Sequence, residues 1–435
     1  MNQNKAQIIS SEEETLIAIN AIRKKLIGKT LTYKEIYSVM DQIAKRRLGD
    51  ILTTYFAASG YSKGFTNQEL YYLTKAMVET GERLRFNGIV ADKHSIGGVP
   101  GTRTTLIVVP IVAAAGFTIP KSSSRAITTP DGTADDMEVL APVQLSKEKV
   151  LNVVKKTNGC IVWGGSFGIA PADDIIIKVE KPLLYESYDK VLVSIMAKKI
   201  AFGSNHVVID LPYGTMVKVH KLKDAEALKK KFEFLAKKFD IKIRVLIHRT
   251  DEPAGQGIGP ILETKEAIRV LQQKPTRPVD LEIRSINLAG NLLDICLKDS
   301  PKQLRNDVKK NYGNCFGWAT KILQDGTAFK KMQEIILEQG GNPNIDSEDL
   351  KPGQHSFKLK ASKTGTVKKL NSKHITIIAR LLGAPKQKGA GIFLDKKIGK
   401  TVEKGDTVLT LYSEKEHNLK EAWHAIKRFP IATII

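Results

Sequence analysis

Residues 206–249 read HVVIDLPYGTMVKVHKLKDAEALKKKFEFLAKKFDIKIRVLIHR, and their order of patterns decides the fold class. HVVIDLP (His206 to Pro212) and IKIRVLIHR (Ile241 to Arg249) are short runs rich in β-branched residues, the composition of buried strands. Between them, DAEALKKKFEFLAKKF places its apolar residues at helical spacing, with lysines on the opposite face. A strand, a helix and a further strand in succession predict an α/β layer architecture.

Outward from this unit the patterning changes twice. The first eighty residues read as all-helical: TYKE (Thr32 to Glu35) and TNQE (Thr66 to Glu69) each match a capping box, and the second of these helices stops at Gly81. A further helical insert, YDKVLVSIMAKKIAFG, interrupts the α/β pattern near 190–203. The last eighty residues, with SKTGTVKKL, GAGIFLDKKIG and KGDTVLTLYSE, are short alternating runs broken by turn pairs, a β-rich module that begins near NPNIDSEDLKPGQH. The expected organisation is a helical domain from 1–75 with 165–202, an α/β domain with a mixed sheet from 76–164 with 203–345, and a C-terminal β-rich, barrel-like module over 346–435.

Composition excludes several classes. With 435 residues, 42% hydrophobic and 26% charged, the chain has the makings of folded domains rather than a disordered one. No apolar run reaches membrane-spanning length; Leu106–Gly116 is interrupted by Pro110 and reads as a buried helix. MNQNKAQIISSEEET lacks the basic start and apolar stretch of a secretory signal. Cys160, Cys296 and Cys315 are isolated, which argues for a reducing cytoplasm and against a disulfide framework or zinc site. The histidines form no HxxxH or HExxH pair, so no metal is expected. The net charge of +22 is scattered over amphipathic segments rather than clustered, so it reads as a basic surface, compatible with steering a phosphorylated substrate, and not as a nucleic-acid footprint.

Two stretches carry chemistry. DKHSIGGVPGTRTT (Asp92 to Thr105) sets Lys93, His94 and Ser95 before glycines that permit close backbone approach, and Thr104 and Thr105 open a helix. A helix N-terminus offers unpaired N–H groups and partial positive charge to an anion. KSSSRAITTPDGTADDMEVL (Lys121 to Leu140) is a second donor-rich loop, with Ser122, Ser123, Ser124, Arg125, Thr128, Thr129 and Thr133. N-capping and turn chemistry account for one or two of these hydroxyls, but not for all of them.

These stretches, with GIAPADDIIIKVE, VSIMAKK and IDLPYGTMVKV in the same order, resemble the thymidine and pyrimidine nucleoside phosphorylase family, and its AMP phosphorylase branch most. The resemblance implies a helical domain beside a large α/β domain, phosphate bound on the α/β side, and a nucleoside cleft that closes by domain rotation. It implies attack of inorganic phosphate on C1′, giving free base and a pentose 1-phosphate, without cofactor, metal or covalent intermediate. For nucleoside 5′-monophosphates of the AMP, CMP or UMP type the product is ribose 1,5-bisphosphate; the alternative substrates are uridine, cytidine or thymidine. It further implies a cytoplasmic homodimer or larger homo-oligomer.

By position, the resemblance assigns Lys93, Ser95, Thr105, Ser123 and Thr133 to phosphate, and His94 to the base and sugar. Ser194 and Lys198, one helical turn apart, match base contacts. In the AMP phosphorylase branch Gly98, Ser124, Arg125, Ala126, Ile127, Thr128, Thr129, Thr133, Ser194 and Lys218 would line the nucleotide site, with Lys218 and Arg125 as partners of the 5′-phosphate. The sequence also departs from the family. Ala172 stands where thymidine phosphorylases read the pyrimidine with an arginine. The place of the branch's aspartate proton donor holds Glu186, with Asp189 as a competing donor. The branch's extra N-terminal domain has no counterpart in the sequence, and VEKGDTVLTLY, similar to a biotinyl carrier domain, lacks Met-Lys-Met and reads as structural.

Overall fold

The computed structural model describes residues 11–435 apart from 63, 128, 167 and 181–186. They fall into two compact units, one within Met1–Arg85, Phe167–Gly203 and Lys230–Asp240, the other within Phe86–Ser166, Ser204–Lys229 and Ile241–Ile435.

The first unit is helical among its described residues, with helices Ser11–Leu26, Tyr33–Ala44, Gly49–Ser62, Asn67–Glu79, Pro171–Glu180 and Tyr188–Ala201. Both expected capping boxes form: Thr32 with Glu35 and Thr66 with Glu69 satisfy each other's free backbone donors. Glu69 does a second job. Its buried carboxylate takes a 2.8 Å ion pair from buried Lys25 and the Leu31 N–H at 3.0 Å. Burial opposes its charge, yet these donors hold its pKa below the ordinary glutamate value.

In the second unit the strands β1 (Ala91–Ser95), β4 (His206–Tyr213) and β5 (Lys242–Arg249) form one parallel sheet in the order β1-β4-β5. Strands β2 (Ile119–Ser123) and β3 (Gly159–Trp163) pair in parallel, and a parallel bridge from Val90 to Thr118 joins β1 to β2. The described pairings of this layer are thus all parallel, where a mixed sheet was expected, and the antiparallel pairs lie in the C-terminal region. The apolar run after the first loop is the helix Thr105–Ala114, buried through Ala113 with Pro110 inside it; it packs with Leu288, Leu292, Ile335 and Ile336 of later helices. Strand β5 is only half-buried, because β4 is its one partner among the described residues and its other edge is open.

The C-terminal strands make two open antiparallel sheets rather than a closed barrel. With β6 (Gly257–Ile258), β7 (His355–Lys360), β8 (Gly365–Leu370), β9 (Gly391–Phe393), β10 (Thr401–Val402), β11 (Thr407–Ser413) and β12 (Ala432–Ile434), the orders are β6-β9-β11-β7 and β10-β8-β12. Strand β6 explains why 346–435, expected as a separate module, groups with the α/β layers. It belongs to the chain before the long helices, yet it pairs with β9 and packs Ile258 among Ile392, Leu409 and Leu411. No helix of the described residues is long and apolar enough to cross a membrane.

Candidate active site

Parallel strands deliver their C-terminal ends to one edge, where ligands of open α/β sheets bind. Ser95 is in register with Asp210 on β4. In step from the Val90–Thr118 bridge, Ser95 and Ser123 close neighbouring strands. Alternation along β1 puts Lys93 and Ser95 on one face and His94, half-buried, on the other.

Lys93 is strongly altered by its surroundings. It is 1% exposed, and its Nζ donates to Thr104 Oγ1 at 2.5 Å and to Thr105 Oγ1 at 3.3 Å, at the start of the buried helix. Burial pushes its pKa down to about 8, with Arg284 and Arg103 adding to the fall and Asp210 and Asp92 opposing it. Ser95 Oγ donates to Asp210 Oδ2 at 2.6 Å. Ser123 Oγ is buried and has no hydrogen-bond partner among the described residues. Thr133 opens the short helix Thr133–Met137 directly after Gly132, where a Cβ would lie 2.4 Å from Ser124 O.

The donor-rich loop is held from both sides. Asp135 accepts from the Ala126 N–H at 2.7 Å and the Gly132 N–H at 2.9 Å, and the Ala134 N–H donates to Ser124 O at 3.2 Å. Arg380, far along the chain, donates to Ile127 O at 2.7 Å and Thr129 O at 3.3 Å. Thr129 Oγ1 donates to Asp131 O at 2.6 Å. Thr128 lies outside the described residues. Gly98 and Lys218, both expected at the nucleotide site, are brought together: Gly98 has φ +96°, and a Cβ there would lie 3.2 Å from Lys218 Cγ. Arg125 is placed differently from a free phosphate partner. Its guanidinium pairs with Glu138 at 2.6 Å and 2.8 Å and with Asp135 at 3.1 Å, over the Trp163 ring. Arg125 and Lys388 together hold Glu138 down to about 2.

Arg103, between the loop glycines and Thr104, is enclosed by the buried carboxylates of Asp131, Asp136 and Glu263, with 2.5 Å to Asp136 and 2.8 Å to Glu263. Their oxygens lie within 4.8 Å of one another, close enough to share a cation, and the guanidinium already supplies one. Burial, and the repulsion among the three, push Asp136 and Glu263 well above the ordinary carboxylate range, while these acids raise Arg103 further. Glu263 also accepts the Gly101 N–H at 2.9 Å, so the cage pins the glycine loop.

In the helical unit, Ser194 Oγ donates to Asp173 Oδ2 at 2.8 Å, and Lys198 Nζ pairs with the same oxygen at 2.7 Å. Burial opposes the charge on Lys198, but Asp173 and Asp174 outweigh it and raise its pKa. Ala172 is fully buried, so no side chain projects from that place. Asp189 is tied to the Phe65 N–H at 3.2 Å and to Lys231, a structural tether more than a proton donor. Glu186 lies outside the described residues.

Sequence reading missed Asp173 and Asp210. The signal was present in each case: a carboxylate at the start of PADDII on a helix, and an acid inside the apolar run HVVIDLP, which a strand buries only with partners. Asp210 has them, in Ser95, Arg284 at 3.4 Å and His248 at 3.5 Å. Arg284 and His248 line, with Asp210, Thr250 and Asn291, a cavity of about 790 Å³.

Comparisons with known proteins bear on the family and the fold. Residues 19–81 match the helical bundle domain of the glycosyl transferase family, residues 87–310 its a/b domain, and residues 366–429 the pyrimidine nucleoside phosphorylase C-terminal domain. An AMP phosphorylase of Thermofilum pendens is 42% identical over 93% of this chain and 76% of its own. A Legionella pneumophila (strain Paris) protein described as "Putative thymidine phosphorylase" is 41% identical over 96% of this chain and 78% of its own. Anthranilate phosphoribosyltransferase of Thermus thermophilus shares the fold, with a TM-score of 0.60 at 16% identity over 73% of this chain and 99% of that one. A helical bundle, a parallel α/β layer with hydroxyls and a buried lysine at its strand ends, and this C-terminal domain make the chain a member of the thymidine and pyrimidine nucleoside phosphorylase family of pentosyltransferases.

Proposed function

We propose that the enzyme cleaves nucleoside 5′-monophosphates with inorganic phosphate, releasing the free base and ribose 1,5-bisphosphate. The observation that carries the phosphate half is Lys93, buried and hydrogen-bonded to Thr104 and Thr105 at a helix start, with Ser123 Oγ unpartnered on the next strand. Such an array can take a dianion at little reorganisation cost. For the base we assign Ser194 and Lys198, both held by Asp173, and for the 5′-phosphate Lys218, beside Gly98.

A phosphate oxygen forms its bond to C1′ as the C1′–N bond breaks, and the base leaves with a proton from Glu186 or His94. The reaction as proposed uses no cofactor. Catalysis then rests on aligning the phosphate and stabilising the departing base. Support for the monophosphate reading comes from Ala172, which replaces the pyrimidine-reading arginine, and from relatives named AMP phosphorylase. Cleavage of unphosphorylated uridine, cytidine or thymidine is the second reading, favoured by the engagement of Arg125 with Glu138. The test is base release from AMP, CMP, UMP, GMP, adenosine, uridine, cytidine and thymidine, with and without phosphate. Release from nucleosides alone sinks the monophosphate reading, and the absence of any phosphate-dependent release sinks the phosphorylase reading.

A further inference from the structure

Lys93 and Ser95 share one face of β1 and both donate, but with opposite consequences for the protons left to the site. Lys93 Nζ donates to Thr104 Oγ1 and Thr105 Oγ1, so both hydroxyls, having accepted, keep their own protons to give. Ser95 has a single proton, and it goes to Asp210 Oδ2 at 2.6 Å. Asp210 is buried, which opposes its charge, but Arg284, Lys93 and His248 outweigh that and hold its carboxyl below the usual range. An ionised carboxylate only accepts, so the direction of this bond is fixed. Ser95 therefore offers the site a lone pair and no proton.

We propose that Asp210, by taking the Ser95 proton, makes the anion site select an oxyanion that itself carries a proton, hydrogen phosphate or hydrogen arsenate, over sulfate. The inference rests on the reading that Ser95 lies in the phosphate site. The P–OH of hydrogen phosphate donates to Ser95 Oγ, while its remaining oxygens accept from Lys93, Thr105 and the unpartnered Ser123. Sulfate has the same charge and nearly the same size, but no proton at neutral pH, and it sets an anionic oxygen against the serine lone pair. The arrangement also chooses the nucleophile: the protonated oxygen is held at Ser95, which leaves an unprotonated one for C1′. Asp210 is a positioning residue, fixed by its register opposite Ser95 and by Arg284 and His248 behind it.

The test compares the KM of phosphate with the inhibition constants of sulfate and fluorophosphate at one ionic strength and neutral pH. Fluorophosphate keeps the phosphorus, shape and charge of hydrogen phosphate but not its proton. Both should bind about tenfold or more weakly than phosphate, the loss expected where a hydrogen-bond donor is replaced by an atom that leaves the buried serine lone pair unmatched. Arsenate should replace phosphate in base release. Asp210→Ala frees the Ser95 proton, so the phosphate-to-sulfate ratio should fall toward one; a merely structural loss would weaken both anions alike. Ser95→Ala should weaken phosphate and leave sulfate unchanged, and it decides the matter with the wild-type ratio where Asp210→Ala does not fold. Sulfate within about threefold of phosphate in the wild type, or a ratio unchanged in the folded variants, overturns the proposal. Should no base be released, titration calorimetry with phosphate and sulfate alone still reads the ratio, separately from the proposed reaction.

Discussion

Lys93 gives the sharpest prediction, because burial has moved its titration into an accessible range. Its ammonium loses its proton at a pKa of about 8 instead of 10.5. Above about pH 8 inorganic phosphate is almost wholly the dianion, so the ligand's charge stays constant while the lysine's disappears. Each pH unit beyond 8 then costs tenfold in the charged fraction, worth about 1.4 kcal/mol. The KM for phosphate should be about fifteenfold higher at pH 9.5 than at pH 8. Asp210, held below the usual carboxylate range, and Arg103, raised above the usual guanidinium range, face Lys93 and keep their charge over this interval, so they add no slope. Proton donation to the leaving base acts on kcat rather than on this KM. The assay is base release against phosphate concentration at fixed ionic strength, with Lys93→Met as the variant that abolishes the slope. A KM flat to within about threefold through pH 9.5 would refute the assignment of Lys93 to phosphate. Stability runs with the opposite sign. Below pH 8 both folded and unfolded chains bind this proton, and the cost of burying the charge is present. Between 8 and 10.5 only the unfolded chain keeps it, so folding gains about 3 kcal/mol from this group as pH rises.

Asp173→Asn should leave the fold intact and lower kcat/KM by about tenfold to a hundredfold, because Lys198 and Ser194 lose the anion that aims both; steady-state kinetics with circular dichroism check it. Arg103→Met leaves three buried carboxylates without their cation and should cost about 3–5 kcal/mol of stability by denaturant titration, less at low pH where Asp136 and Glu263, both raised by burial, are protonated. Thr66→Ala removes one half of a capping box and should cost about 1 kcal/mol in the same titration, with no change in KM for phosphate.

The sequence by itself determined the elements and much of the chemistry. Capping boxes at Thr32 and Thr66, the buried helix after Thr104 and the strands His206–Tyr213 and Lys242–Arg249 are local in origin, since side-chain periodicity and hydroxyl caps act within a few residues. Lys93 and Thr105 were legible as neighbours for the same reason: they are hydrogen-bonded to each other within one loop. What the tertiary structure alone decided is which protons and charges are available. Arg125 reads as a free cation in the chain, but Glu138 and Asp135 engage it in the fold. Ser95 reads as a donor, until β4 brings Asp210 beside it across more than a hundred residues. Lys93 reads as an ordinary lysine, until the layers close over it and its neighbours set its pKa. Burial and long-range register are properties of packing, and no short stretch encodes them; the identity of a side chain is written in the sequence, but its protonation and the direction of its hydrogen bonds depend on what the fold places opposite it.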